Sequence, residues 1–108
     1  MNREQIITKL SFILTDEELH RITVKESNNG LLLSIDLHSL RCMEAQQLLT
    51  NIVTINRSAF CLHAIHGFNH GTALKEMIYY RIKNKRFTKI FSPDWNPGET
   101  FIQVAAQY

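Results

Sequence analysis

Residues 31–41 read Leu-Leu-Leu-Ser-Ile-Asp-Leu-His-Ser-Leu-Arg and carry the strongest fold signal in the chain. The odd positions from Leu31 to Leu37 are all apolar, whereas the even positions become polar toward His38. This gradient is typical of a strand whose far end opens onto a site. Asp36 and His38 are two residues apart, so the pattern places a carboxylate and an imidazole on one face of the strand.

A second informative stretch, His66-Gly67-Phe68-Asn69-His70-Gly71, follows an apolar run at 60–65. A glycine-bounded loop that leads into a helix start presents free backbone N–H groups, and these attract anions such as phosphate. If 31–37 and 60–65 are neighbouring parallel strands, both stretches lie at one end of the sheet. Two or three histidines, Asp36 and Arg41 would then face a phosphate-sized ligand.

Hydrophobic spacing predicts the remaining elements. We expect helices over 3–14, 42–56 and 72–84, strands over 21–26, 31–37, 60–65, 87–91 and 101–105, a turn at 27–30 and a loop at 92–99. Apart from the first helix and strand, the order is β-α-β-α-β-β. It predicts an α/β (α+β) two-layer sandwich with a mixed four-stranded sheet and helices on one face, plus an N-terminal helix and hairpin strand.

Length and composition predict the class of protein. A chain of 108 residues with 44% hydrophobic residues is expected to form one globular domain. The chain contains no apolar run long enough for a membrane span and no signal-peptide pattern, so we expect a cytoplasmic protein without a membrane partner. The isolated cysteines, Cys42 and Cys61, are expected to be reduced and partly buried, because their spacing fits neither a disulfide framework nor a zinc site.

Charge is distributed unevenly along the chain. Residues 1–40 contain four Lys/Arg and six Asp/Glu, whereas residues 71–90 contain six Lys/Arg and one Glu. The balance of +5 in the second segment favours a surface that faces a polyanion, such as DNA or RNA. A solvated helix end followed by an exposed turn would give the same pattern.

The two stretches together resemble the small MutS-related (Smr) domain family. Its first hallmark, apolar-Asp-apolar-His-x-x-Arg ahead of a helix, is matched by Ile35–Arg41. Its second, a strand ending in His-Gly-x-Gly-x-Gly before a helix, is matched by Ile65–Gly71 and then Leu74-Lys75. The resemblance covers about 31–106. We therefore divide the chain into an N-terminal helix-and-strand extension (1–30) and an Smr-like domain (31–108).

The resemblance implies a fold like the C-terminal domain of translation initiation factor three. It also implies nucleic-acid binding, and in several members nicking or endonucleolytic cleavage of DNA or RNA. The chain departs from the family pattern at three positions. Ser39 and Asn69 stand where the family often has glycine, and Phe68 stands where it often has a basic residue.

The candidate catalytic residues are Asp36, His38 and His66. A carboxylate can orient an imidazole as a general base near neutral pH, or it can hold a divalent cation such as Mg²⁺ or Mn²⁺. His66 is then the acid or a phosphate ligand. A structural interpretation remains open, in which Asp36 caps the following turn and His38 is a satisfied structural group. A zinc pair of His66 with His70 is not expected, because the glycines between them oppose a helix.

The candidate nucleic-acid contacts combine loop amides, one possible stacking ring and the basic side chains. They are Arg41, Gly67, Phe68, Asn69, His70, Gly71, Lys75, Lys83, Lys85, Arg86 and Lys89. We expect an Smr-like nucleic-acid-binding domain that cleaves phosphodiester bonds as an endonuclease. The alternative is a non-catalytic adaptor that binds nucleic acid, a ribosome or a protein partner.

Overall fold

A computed structural model describes residues 2–67 and 72–107 of the chain. The helices are α1 (Arg3–Ile13), α2 (Asp16–His20), α3 (Cys42–Ile55) and α4 (Thr72–Glu76). A π-helical segment, Met77–Arg81, continues α4. The strands are β1 (Ile22–Ser27), β2 (Gly30–Asp36), β3 (Phe60–Ile65), β4 (Phe87–Phe91) and β5 (Glu99–Val104).

The strands form one mixed sheet in the order β1-β2-β3-β5-β4. β2 and β3 are parallel, and the other three pairings are antiparallel. The central pair is parallel because α3 carries the chain back across the sheet between β2 and β3. The predicted fold class is therefore confirmed, with β1 as the hairpin strand at one edge of the predicted four-stranded sheet.

One hydrophobic core lies between the sheet and the helices. Alternate strand residues such as Leu33, Ile35 and Leu62 are fully buried and pack with apolar side chains of the helices. Ile6 and Leu10 of α1 belong to the same core. The extension therefore contributes to the main core. Among the described residues, no helix combines the length and the hydropathy needed to cross a bilayer.

The predicted helix over 72–84 is shorter and less regular than its sequence pattern suggests. The amide of Ile82 donates to the carbonyl of Met77, five residues back, at 3.0 Å. Helical conformation ends there, since Ile82 is extended. A wide π turn adds one residue to a helical turn, and a periodicity of 3.6 residues does not reveal it.

Arg86 holds the C-terminal end of α3 against the rest of the domain. Its guanidinium donates hydrogen bonds to four carbonyl oxygens, those of Ala105 at 2.7 Å, Val53 at 2.6 Å, Asn56 at 2.7 Å and Ser58 at 3.2 Å. The last carbonyls of a helix lack intrahelical donors, and a cation is favourable at that end. Burial lowers the pKa of Arg86. The sequence-based assignment of Arg86 as a nucleic-acid contact is therefore not supported by its surroundings.

We expect Arg86→Gln to destabilise the fold by about 3 kcal/mol, because several charge-assisted hydrogen bonds are lost together and helix carbonyls are left unpaired. Urea unfolding of wild type and variant measures this difference. The neighbouring Lys85 is exposed, so Lys85→Gln is the matched control and is expected to stay within about 0.5 kcal/mol. Equal stability of the two variants would contradict a structural role for Arg86.

Candidate functional site

The two sequence motifs meet at one end of the sheet. Asp36, the last residue of β2, is in register with Ile65, the last residue of β3. The amide of Leu37 continues the pairing with a hydrogen bond to the Ile65 carbonyl at 2.8 Å. His38 and His66 therefore follow strands that end side by side. We call this the motif end of the sheet, and the end where β2 and β3 begin is the opposite end.

Asp36 and His38, which we call the motif pair, are directly hydrogen-bonded to each other at the motif end. Oδ1 of Asp36 lies 2.5 Å from Nδ1 of His38 and also accepts the His38 amide at 3.0 Å. A carboxylate oxygen can only accept, so Nδ1 carries the proton, and no described residue bonds Nε2. The His38 side chain is 64% exposed and that of Asp36 is 40% exposed. The hydrogen bond between the two side chains thus orients the imidazole, and both side chains remain accessible to solvent.

A tight turn connects this pair to α3. Ser39 has a φ of 71°, in the left-handed region that favours glycine. The amide of Leu40 donates to the Leu37 carbonyl at 3.1 Å. Arg41 then occupies the N-cap position of α3, where the Glu44 carboxylate accepts its amide at 3.1 Å. Arg41 is exposed and follows the pair in sequence, at the end of the helix that favours anions.

His66 is buried, unlike His38, with only 2% of its surface exposed. Its Nδ1 lies 3.1 Å from the Gly67 carbonyl, and its Nε2 lies 2.8 Å from Oγ1 of Thr100. The carbonyl requires a donor at Nδ1, so Nε2 of the neutral ring accepts from the Thr100 hydroxyl. Hydroxyl contacts continue from Thr100 to Ser92 at 3.1 Å and from Ser92 to Tyr79 at 2.9 Å.

This network makes His66 a poor candidate for a proton donor to substrate. Both ring nitrogens are committed to protein partners, and burial is the main cause that lowers the pKa of His66. A positive charge on Lys75 acts in the same direction, while the Gly67 carbonyl and Glu99 oppose it. The ring joins β3, β5 and, through Tyr79, the helix that follows the second motif.

Gly67, which follows His66 in the second motif, has a φ of 82°, a conformation that favours glycine. The amides of both His66 and Gly67 donate to the Gly98 carbonyl, at 3.0 and 2.9 Å. The Gly67 N–H is therefore already used, which removes it from the predicted set of phosphate-binding amides. The predictions for Phe68, Asn69, His70 and Gly71 lie outside the described residues.

Apart from Arg41, the predicted basic contacts are spread along the length of the domain. Lys75 lies in α4 near His66, and its Nζ is 6.0 Å from the centre of the Tyr79 ring. Lys83 and Lys85 precede β4, which begins at Phe87, and Phe87 is in register with Val104. Val104 pairs with Phe60, the first residue of β3, so these lysines lie at the opposite end. Lys89 lies between the two ends, with its Nζ 5.1 Å from the centre of the Phe91 ring.

A row of side chains crosses the face of the sheet away from the core. Ser34, His63, Phe101 and Phe91 are in register on four neighbouring strands. The His63 and Phe101 rings stack at 4.4 Å, and Phe101 stacks on Phe91 at 5.4 Å. Nδ1 of His63 lies 3.0 Å from the Ser34 hydroxyl. His63 is thus held by its neighbours in the sheet on both sides.

Two residues that bind the motif residues were not identified from the sequence. Arg21 donates to the carbonyls of Asp36 and His38, and Thr100 holds His66. Both contacts join residues at least 15 positions apart in the chain, so no local spacing could have indicated them. The motif residues themselves carried a signal because their spacing follows a single strand.

Ligands for a metal are sparse at this site. Within residues 2–67 and 72–107, no group of three or more His, Cys, Asp and Glu side chains could hold a metal ion. Asp36 supplies one carboxylate, and both of its bonds to His38 use Oδ1. The described residues therefore do not by themselves supply the ligand set of a cation held by protein alone.

Comparisons with known proteins support the fold. Searches find neither a matching family model nor a matching curated protein. Among solved structures, the chain is similar to the Smr domain of MutS2 from Thermus thermophilus, with a TM-score of 0.55 and 24% sequence identity. The match covers 66% of this chain and 95% of that domain. The chain thus has an Smr-like fold, and about a third of it has no counterpart in the bacterial domain.

We expect the pH dependence of stability to report the burial of His66. Its pKa is lowered in the folded state, so below about pH 6.5 the unfolded chain binds more protons than the native chain. Stability contributed by neutral His66 is therefore present above that pH and is lost as the pH falls. The slope contributed by one proton is at most about 1.4 kcal/mol per pH unit.

Urea unfolding between pH 7.5 and pH 5.5 measures this contribution. His66→Gln is expected to be less stable than wild type at pH 7.5 and to lose less stability on acidification. His20→Gln changes an exposed histidine and is the matched control, with the acid sensitivity of the wild type retained. An acid slope in His66→Gln as steep as in the wild type would contradict a buried neutral His66.

Proposed function

We propose that this chain is a nucleic-acid-binding domain that cleaves phosphodiester bonds at the motif end of its sheet. The observation that carries the proposal is the exposed Asp36–His38 pair, with its 2.5 Å contact through Nδ1. An internally bonded imidazole with a free Nε2 is the arrangement required of a general base. The Smr-like fold supports the proposal by analogy, although a fold alone does not determine a function.

The reaction begins with proton removal from the attacking oxygen. Nε2 of His38 accepts the proton of a water or hydroxyl as that oxygen bonds to phosphorus, and the Asp36 carboxylate stabilises the imidazolium that forms. The bond from phosphorus to the leaving oxygen then breaks, and the leaving oxygen takes a proton from solvent. Arg41, exposed at the start of α3, would stabilise negative charge on the phosphate.

A divalent cation would add charge neutralisation at the phosphate if it binds with substrate. Asp36 is the described residue that would contact it. His66 has a positioning role in this scheme, because its ring is buried and hydrogen-bonded on both sides.

The basic residues at the opposite end extend the expected footprint. β3 separates the two ends by six residues, or about 17 Å at the usual rise of a strand. This length corresponds to about five base-pair steps of a duplex. Nucleic acid that follows the sheet from Arg41 to Lys83 and Lys85 would therefore meet cations at both ends of the domain.

Replacement of the motif pair tests the chemistry. We expect His38→Ala to lower the cleavage rate by about 10²–10⁴-fold, the usual contribution of a general acid–base group. Asp36→Asn keeps the shape of the side chain and loses its charge, so it should also impair cleavage. The two effects should be far from additive, because the residues act as a unit. Plasmid and structured RNA, with and without Mg²⁺ or Mn²⁺, are suitable substrates.

His20→Gln is a control for histidine loss, because His20 is an exposed side chain of α2 outside both motifs. It should cleave at the wild-type rate if it folds normally by urea unfolding. A double variant of Asp36 and His38 that cleaves like wild type, in a preparation free of contaminating nuclease, would contradict the cleavage proposal. Binding without cleavage by the wild type would favour the adaptor function.

Replacement of the lysines tests the binding surface. We expect Lys83→Gln with Lys85→Gln to weaken binding to DNA and RNA regardless of sequence, because phosphate contacts dominate such affinity. Each lost contact should reduce the log–log salt slope by about 0.7–0.9. Fluorescence anisotropy over a salt series measures both quantities.

Lys9→Gln is the control for net charge, since Lys9 is an exposed lysine of α1 outside the proposed footprint. It should leave the salt slope unchanged. An unchanged slope in the Lys83/Lys85 variant would restrict the binding surface to the motif end. Arg86 is not included among the changes, because its loss is expected to affect folding.

A further inference from the structure

The backbone around the Asp36–His38 pair is fixed by hydrogen bonds on both its donors and its acceptors. On the donor side, the Asp36 amide binds the Arg21 carbonyl at 2.9 Å, and the Leu37 amide binds the Ile65 carbonyl at 2.8 Å. The His38 amide binds the Asp36 side chain at 3.0 Å. Three consecutive amides thus have three different partners, which defines the path of the chain through the motif.

The acceptors in the same segment depend largely on one side chain. Nη1 of Arg21 donates to the Asp36 carbonyl at 3.0 Å and to the His38 carbonyl at 3.1 Å. This nitrogen carries two hydrogens in the plane of the guanidinium, so one group can serve both carbonyls. The carbonyl of Leu37, between them, accepts from Leu40 instead.

Arg21 counteracts a backbone conformation that is unfavourable for the residue present. Ser39 follows His38 with a φ of 71°, and non-glycine residues in that region persist where the surrounding structure holds them. The hydrogen bond from Arg21 to the His38 carbonyl acts on the peptide unit that joins these two residues. It therefore fixes the peptide unit after His38, while the bond to the Asp36 carbonyl fixes the peptide unit between Asp36 and Leu37, so the motif backbone is held on both sides of Leu37 and His38.

Arg21 is itself held by the extension. It follows α2 directly, and its amide donates to the Glu18 carbonyl at 3.1 Å. α2 begins at a capping box in which Thr15 and Glu18 bind each other's amides at 2.9 and 3.1 Å. The side chain thus starts from a fixed helix end.

We propose that Arg21 is a positioning residue for the Asp36–His38 pair, supplied by the extension to the site. This inference rests on the proposed function for its catalytic consequence. Its structural part, that Arg21 clamps the carbonyls of Asp36 and His38, can be tested without any activity. The residue lies outside both sequence motifs that carry the family resemblance.

Hydrogen exchange and cleavage together test the clamp. In Arg21→Gln we expect the amides of Leu37, His38 and Leu40 to exchange at least about tenfold faster, because two charge-assisted hydrogen bonds are lost. Amides in the middle of α3 and β3 should keep their wild-type rates. We expect kcat to fall about 10–100-fold with KM nearly unchanged. The chemical step depends on the alignment of the Asp36–His38 pair, whereas substrate binding does not.

Two further variants distinguish positioning from charge and from general damage. Arg21→Lys keeps the positive charge and loses the planar group that serves two carbonyls, so it should resemble Arg21→Gln. Arg3→Gln removes another arginine of the extension, one that binds the Val24 carbonyl at 2.9 Å away from the motif, and it should leave local exchange and kcat unchanged.

The outcomes separate the two proposals. Wild-type exchange at the motif amides in both Arg21 variants would overturn the clamp, whatever the activity. Full kcat in Arg21→Lys beside a loss in Arg21→Gln would overturn positioning and assign Arg21 an electrostatic role. A wild-type chain that does not cleave would remove the proposed function, and faster exchange in the Arg21 variants would still support the clamp.

Discussion

Parallel pairing of β2 with β3 is the constraint that creates the site. Parallel strands can be joined only by a crossover, and α3 provides it, so both strands run in one direction and end together. That arrangement brings two motifs 30 positions apart to one end of the sheet. An antiparallel arrangement would have placed them at opposite ends, with the same residues and the same local conformations.

The two histidines at this end show how burial separates similar residues into different roles. His38 is mostly exposed and bonded to a carboxylate through Nδ1, and its Nε2 has no bond to any residue that the structure describes. His66 is buried, and hydroxyl and carbonyl partners use both of its nitrogens. Satisfied buried polar groups make a structure rigid and specific, whereas reactivity requires an unsatisfied one. The contrast favours one histidine as the base and the other as part of the framework.

The sequence predicted the elements well because their signals are local. The alternation in residues 31–37 follows a strand, and the stripe from Ala45 to Val53 follows a helix, so composition and spacing identified both. The fate of Arg86 could not be predicted in this way. Its partners include Val53 and Ala105, 33 residues before it and 19 after it in the chain, and a run of basic residues looks the same whether its members face solvent or helix carbonyls.

The site residues likewise divide into those with a local sequence signal and those whose role depends on residues distant in sequence. Asp36 and His38 were identifiable because two positions on one strand face share a surface, a property of local geometry. The burial of His66 was not identifiable, because it depends on Thr100 of β5 and on Ser92 and Tyr79 beyond it. The π-helical segment after α4 was also not predicted, because Leu74, Met77 and Ile78 satisfy an ordinary helical pattern.

Pairing of β1 with six of the seven residues of β2 has a consequence for truncated forms of the chain. Six residue pairs connect the two strands, from Ile22 with Ile35 to Ser27 with Gly30. A fragment that starts at residue 31 would leave one side of β2 with unpaired amides and carbonyls and would uncover the buried Leu33 and Ile35. Exposed strand edges of this kind recruit strands from other molecules, so such a fragment is expected to self-associate. The β1 strand therefore also protects the domain against aggregation.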